Sequence, residues 1–504
     1  MEEFELIAKT FQGLEQVLAR ELRELGAGNV RPGYRMVSFT GDQEMMYRAN
    51  FCLRTAVRIL KPIKHFVAKD ADDVYAAVRS IDWSRYLDLS TTFSVDSVVN
   101  SEEFRHSKFV AYKVKDAIVD YFRETTGKRP NISISNPDMK LNIHISEENC
   151  TLSLDSSGDS LHLRGYRTAS VEAPINEVLA AGLLKLAGWN GETDFIDPFC
   201  GSGTLLVEAA LMARNIYPGV FRKAFGFEKW KDFDRDLLDR IYNDDSAERE
   251  FQHKIYGYDL NQRAVEAALA NAKNAGVADC IIVERRDIQS FKHATKDKAL
   301  MVTNPPYGER LVTPDLLGIY RTLGERLKHE FLDNDAWVIS SRAECFDEIG
   351  LKASVSIPLY NGSLECDFRK YQIFAGRLDE YRAGGGTVKS DEDRRRMADK
   401  RHTRLSRNDA NERRNMQETE EDLSDDPEYL LLRNMHREFE RNFGRYGRRD
   451  EGRRQERRSD RRDNSRKEDS RRTERGNYGR EAGGRRPDRE GYGRKSFDRK
   501  PKKY

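Results

Sequence analysis

Two strand-like runs, each ending in a turn of restricted backbone, constrain this chain more than any other feature. Residues 193–196 lead into Asp197-Pro198-Phe199-Cys200-Gly201-Ser202-Gly203-Thr204, and a helical pattern carrying Leu205, Leu206, Ala209 and Leu211 follows at once. The glycines therefore stand at a strand-to-helix turn, where small residues let the backbone approach a ligand closely. About a hundred residues on, Ala299-Leu300-Met301-Val302 leads into Asn304-Pro305-Pro306-Tyr307. Both turns belong at the carboxyl ends of parallel strands, the place where open α/β sheets bind their ligands.

No lysine precedes Thr204, so the first turn is not a triphosphate loop. A carboxylate beside Gly-x-Gly suits a ligand with a positively charged amino group, which is the role expected of Asp197. Asp259, at the end of Ile255-Tyr256-Gly257-Tyr258, fits a partner for ribose hydroxyls, although it comes 62 residues after Asp197 rather than the ~20 of a dinucleotide fold. An insertion over residues 216–250 fills the gap, with Trp230, Phe233, Leu237, Leu238 and Ile241 forming an apolar helical face. Asp287, after Cys280-Ile281-Ile282-Val283, is a third acid at a strand end and is placed to accept from an adenine amino group. Three such acids favour an adenosine-containing cofactor with a cationic arm, and S-adenosylmethionine is the natural candidate. Each acid also has a plainer use as a helix cap.

The second turn has its own logic. Consecutive prolines fix φ and hold Asn304 extended, so its amide oxygen and the Pro305 carbonyl can accept the hydrogens of a planar exocyclic amine. Tyr307 offers a ring for a base to stack on, worth ~1–3 kcal/mol. Transfer to that amine is an in-line displacement in which positioning supplies most of the acceleration. A rigid loop without chemistry is the alternative, since Pro-Pro is common in turns.

On these residues the chain resembles the class I S-adenosylmethionine-dependent RNA methyltransferases that carry a THUMP domain, in particular the guanine-N2 methyltransferase half of a bifunctional enzyme of bacterial large-subunit ribosomal RNA. The likeness covers about the first 380 residues, including 161–167, 173–177, 227–230, 304–310 and Tyr360-Asn361-Gly362. It implies methylation of a guanine N2 amine in RNA, with Asn304, Pro305, Pro306 and Tyr307 as the catalytic clamp. It places cofactor contacts at Asp197, Gly201, Gly203, Asp259, Asp287 and the turn ending at Asn176. The bifunctional relative continues into a second methyltransferase domain, whereas this chain passes into low-complexity sequence, so one methylation activity is expected. Transfer RNA as substrate, adenine N6 as acceptor, and an RNA-binding assembly factor without turnover are the alternatives.

The expected fold class is α/β: a doubly wound, Rossmann-like sheet over residues 166–380, preceded by an α+β ferredoxin-like unit over 1–50 and, by resemblance, a THUMP RNA-binding region over 51–165. Within the last, a helix through Val110, Val114, Ile118 and Phe122 precedes strands at 132–134 and 141–145, and Lys108, Lys113, Lys115, Arg123, Lys128 and Arg129 are candidates to meet phosphates. In the sheet domain, the helix over 261–275 carries Ala264, Val265, Ala268, Leu269 and Ala272 on one face. Residues 381–504 are expected to be a disordered basic tail, with a short helical spacing at 427–443.

Charge supports that division. The net +2 of the 504 residues conceals 25 Lys and Arg against 12 Asp and Glu over residues 441–504, and 62 against 73 before them. Such an Arg- and Tyr-bearing tail can attract RNA. The six cysteines form no CxxC pair, so neither a metal site nor a disulfide framework is expected. No apolar run reaches the ~18 residues of a membrane span, and Met1-Glu2-Glu3 is acidic where a secretory leader is basic. The expected location is the cytoplasm, with reduced thiols and no membrane partner.

Overall fold

The computed structural model describes residues 2–376 apart from 105, 172–173, 294–296, 308–314 and 375. The tail expected over 381–504 and its helical spacing at 427–443 lie outside the described residues.

Strands β1 (Phe4–Lys9), β2 (Gly28–Gly33), β3 (Met36–Gly41), β4 (Arg58–Val67), β5 (Thr92–Asn100), β6 (Asn131–Ile132), β7 (Met139–Ser146) and β8 (Asn149–Asp155) form one sheet in the order β2-β3-β1-β4-β8-β7-β5-β6. Helices α1 (Glu15–Glu24), α2 (Gln43–Cys52), α3 (Ala71–Arg79) and α4 (Ser107–Thr126) belong to the same region. Period-two alternation makes β7 a strand with one wet face: Met139, Leu141, Ile143 and Ile145 are buried and the residues between them are not. The stripe Val110, Val114, Ile118 and Phe122 turns α4 toward this core, and Gly127 at φ +72° ends the helix.

Two expectations change here. The boundary expected between residues 50 and 51 falls inside the last turn of α2, and β4 pairs with both β1 and β8, so the two N-terminal regions share one sheet. The strand expected at 132–134 pairs only over 131–132. The Ser133 hydroxyl accepts from the Asn136 backbone and turns the chain, leaving Ile134 88% exposed.

The second sheet contains β9 (Asp194–Asp197), β10 (Ile255–Asp259), β11 (Ile281–Arg285), β12 (Ala299–Thr303), β13 (Asp335–Ser340), β14 (Val355–Asn361) and β15 (Leu364–Gln372), in the order β11-β10-β9-β12-β13-β15-β14. The first five are parallel, and β14 and β15 close one edge as an antiparallel hairpin. Alternate residues face two separate cores. Phe195, Leu300, Val302, Trp337 and Ile339 pack with α5 (Glu177–Leu186), α6 (Thr204–Ala213) and α8 (Gln262–Asn274). Ile196, Met301, Ala336 and Val338 pack with α9 (Leu316–Glu330) and α10 (Ala343–Glu348) on the other side. From β9 the chain goes to β10 on one side, while β12 pairs on the other, so the strand order reverses at β9. The crevice outside the carboxyl ends of β9 and β12 is where such a sheet opens.

The insertion ahead of β10 contains α7 (Arg235–Tyr242) and does not pack as an independent excursion. Phe225, Phe227, Trp230 and Leu237 enter the core of the first sheet's module, where Phe227 stacks on Tyr47 at 4.0 Å between ring centroids. Lys231 Nζ donates to the Ser84 and Leu87 carbonyls at 2.8 Å each. A segment of the catalytic domain thus completes the core of the module that precedes it. Phe227→Ala is expected to cost about 3–5 kcal/mol of stability and to speed amide exchange in α2 together with 225–242. Faster exchange confined to the insertion would show that it stands alone.

Candidate active site

One cavity of about 930 Å³ opens at this crevice. Its wall brings together Asp197 and Gly201 from the first turn, Asp259 and Asp287 from the next two strand ends, and residues 304–307 from the end of β12. Two motifs more than a hundred residues apart in the chain, the first turn and the Asn-Pro-Pro-Tyr element, therefore face one space.

Asp197 is 1% exposed, and its Oδ1 accepts from Thr303 Oγ1 at 2.6 Å and from the Phe199 backbone at 3.1 Å. Burial pushes its carboxyl up to about 7, the two hydrogen bonds pull it down, and the charge of Asp259 adds to the rise. A cation at the cavity wall would restore the ionised form. Asp259 has a different occupation: Oδ2 accepts from Gly201 N at 3.0 Å and Oδ1 from Asn261 N at 2.8 Å, which ties the glycine turn to the adjacent strand. Each oxygen retains a further acceptor position. Asp287 lines the cavity and also caps the short turn 288–290 through Gln289 N.

Gly201 takes φ +53°, and among the described residues only Val171 Cγ2, at 3.7 Å, lies near the place a Cβ would occupy. The backbone is open to a ligand there. Gly203, expected at the ligand as well, is not on the cavity wall: a Cβ would lie 2.8 Å from Ala268 Cβ, so this glycine lets α6 start against α8. Asn176 is not on the cavity wall either. Its Oδ1 caps α5 through Val178 N and Leu179 N, and the preceding Pro174 and Ile175 line the cavity instead.

At the second turn, Asn304 Oδ1 is buried and has no hydrogen-bond partner among the described residues. Leaving an acceptor in that condition costs roughly 1–3 kcal/mol, which a ligand's N–H group would relieve. Tyr307 Oη accepts from Asn361 Nδ2 at 2.6 Å.

The sequence reading gave no individual role to several residues of the site. Thr303 joins the acid of one turn to the strand end of the other. Arg167 Nη2 donates to the Ile175 carbonyl at 2.7 Å and to Thr204 Oγ1 at 2.9 Å, pinning the segment before α5 onto the glycine turn. Asn271 does the same from α8: it accepts from Thr168 N and Ala169 N and donates to the Ala169 and Ser202 carbonyls. A signal existed, because Asn271 is a lone amide on the apolar side of α8. It is 1% exposed, whereas Leu269, assigned to that side from sequence, is 44% exposed.

The raised Asp197 carboxyl has a consequence for stability. Its folded value of about 7 lies above its ordinary 3.8, so the native state holds the extra proton and this group's contribution is lost as pH rises from about 4 through about 7. Asp197→Asn is expected to raise the thermal midpoint of the ligand-free protein at pH 8 and leave it unchanged at pH 4. Equal shifts at both pH values would mean that the carboxyl titrates normally.

Among known proteins, the model of the RMKL-like methyltransferase domain matches residues 164–370, that of the THUMP domain residues 68–155, and that of the RlmL ferredoxin-like domain residues 5–60. A ribosomal RNA large subunit methyltransferase K/L of Syntrophotalea carbinolica is 41% identical over 380 residues, 73% of this chain and 53% of that one. A putative RNA methyltransferase of Synechocystis is 37% identical over 370 residues, 73% of this chain and 96% of its own. The chain thus spans about half the length of the K/L relative and nearly all of the cyanobacterial one. The crystal structure of SMU.472, a putative methyltransferase complexed with SAH, superposes with a TM-score of 0.66 at 31% identity, covering 75% of this chain and 100% of that one. The chain belongs to the RMKL-like methyltransferase family, with ferredoxin-like and THUMP domains ahead of its catalytic sheet.

Proposed function

We propose that the protein transfers a methyl group from S-adenosylmethionine to the exocyclic N2 amine of a guanine in RNA, within large-subunit ribosomal RNA. The observation that carries this reading is the buried Asn304 Oδ1, without a hydrogen-bond partner among the described residues, on the wall of the cavity that also holds Asp197 and Gly201. An acceptor without a described donor, on the same wall as the carboxyl groups of Asp197, Asp259 and Asp287, suits the methylation of a planar amine. The K/L relative is named for large-subunit ribosomal RNA, and SMU.472 was solved with SAH.

When bound, the cofactor supplies an electrophilic methyl group on a cationic sulfur. The protein's own groups position the rest. Asp197 meets the cationic arm and gains its charge there, Asp259 and Asp287 face the ribose and adenine, and Gly201 lets the backbone approach. Asn304 Oδ1 and the Pro305 carbonyl accept the two amine hydrogens, which turns the nitrogen lone pair toward the methyl group. Tyr307 stacks on the base. The amine becomes acidic only as its new bond forms, so no strong base is needed, and orientation supplies most of the rate.

The THUMP domain supports RNA as the partner. Three of its six candidate cations are already engaged: Lys113 with Asp72, Lys115 with Asp116 and Arg123 with Asp120. Lys108, Lys128 and Arg129 are exposed and make no ion pair among the described residues, so they are the better phosphate contacts. Among the described residues no helix is long and apolar enough to cross a membrane.

Incubation of the protein with labelled cofactor and undermodified ribosomal RNA is expected to yield N2-methylguanine on nucleoside analysis. Asn304→Ala should lower transfer by about a hundredfold with RNA affinity nearly intact. Methylation at adenine N6, or of transfer RNA in preference, would reassign the substrate, and loss of RNA binding in the variant would remove Asn304 from its role.

A further inference from the structure

We infer that Asn361 is a positioning residue that sets the ring plane of Tyr307, and that the tip of the β14–β15 hairpin braces the acceptor base. This rests on the reading of residues 304–307 as the base clamp. Pro305 and Pro306 restrain the clamp's backbone, but the Tyr307 side chain keeps two rotatable torsions. A base stacks productively only on a ring whose plane is held.

The restraint comes from elsewhere in the sheet. Asn361 Nδ2 donates to Tyr307 Oη at 2.6 Å across 54 residues of chain. A phenol oxygen accepts best near its ring plane, so a fixed donor limits both the swing of the side chain and the tilt of the ring. That donor is fixed by its hairpin: Asn361 and Leu364 pair directly across the two-residue turn Gly362-Ser363, and Gly362 takes φ +67°, a conformation a side chain would strain. Behind the tip, β15 pairs with β13 over six positions, so the brace is part of the sheet rather than a loop. Asn361 and Leu364 both line the cavity, and Leu364 also packs on the core beneath the sheet.

The test is a double-mutant cycle in the full chain. Single-turnover rates, RNA affinity and cofactor affinity are measured for wild type, Asn361→Ala, Tyr307→Phe and the double variant with undermodified ribosomal RNA. Each single change is expected to slow methyl transfer about tenfold with both affinities within about twofold, and the double variant should be no slower than either single one. Additive losses, a wild-type rate in either single variant, or a loss confined to RNA affinity overturn the brace. If Asn361→Ala fails to fold, as judged by cofactor binding, Tyr307→Phe decides alone: a tenfold slower rate with intact binding supports the inference and an unchanged rate overturns it. A wild type that methylates no guanine overturns both readings, whereas an active wild type with unaffected variants overturns only this one.

Discussion

The hydrogen bond from Thr303 Oγ1 to Asp197 Oδ1 joins the ends of β9 and β12 at the point where the strand order of the sheet reverses. Both residues are shut off from water, at 0% and 1% exposure. A hydrogen bond to a carboxylate in such surroundings is stronger than one in solvent, and losing it would leave a buried acid with one partner fewer. Thr303 is followed directly by Asn304. The contact continues past the last β9–β12 pair, Met301 with Ile196, and so carries the register of the two strands into the turns that face the cavity.

Around this seam the fold adds restraints of a different kind. Arg54 donates to the Leu211 and Ile216 carbonyls at the end of α6, Arg164 reaches the Arg54 carbonyl and Glu208, and Glu208 accepts from Tyr166 Oη at 2.9 Å. These charges are almost entirely buried, so removing one partner would leave another uncompensated. Together with the aromatic insertion seated beside Tyr47, they hold the first module against the catalytic sheet through directional contacts on one side and apolar packing on the other.

How much of this was legible depended on distance along the chain. The turn at 197–204 and the prolines at 305 and 306 could be read because their constraints act within a few residues: glycine tolerates positive φ, and proline restricts its own φ and its predecessor. Amphipathic stripes on α4 and the alternation in β7 were legible for the same reason. The packing need for Gly203 was not legible, because the atom that excludes a side chain there belongs to Ala268, on another helix. Asn176 had a readable alternative as a cap, since an asparagine just before an apolar run often accepts from the first turn. The apolar face of the insertion was visible, but nothing in its periodicity said which core would receive it.

By itself, then, the amino-acid order determined the local conformations, the α/β class and the chemical character of the two turns, since each follows from sterics and burial over short stretches. Only the tertiary structure decided that Thr303 would meet Asp197, that Asn361 would meet Tyr307, and that the 225–237 aromatics would enter the preceding module. Those pairings depend on strand order and on packing between elements far apart in the chain, and no short-range preference of the backbone encodes either.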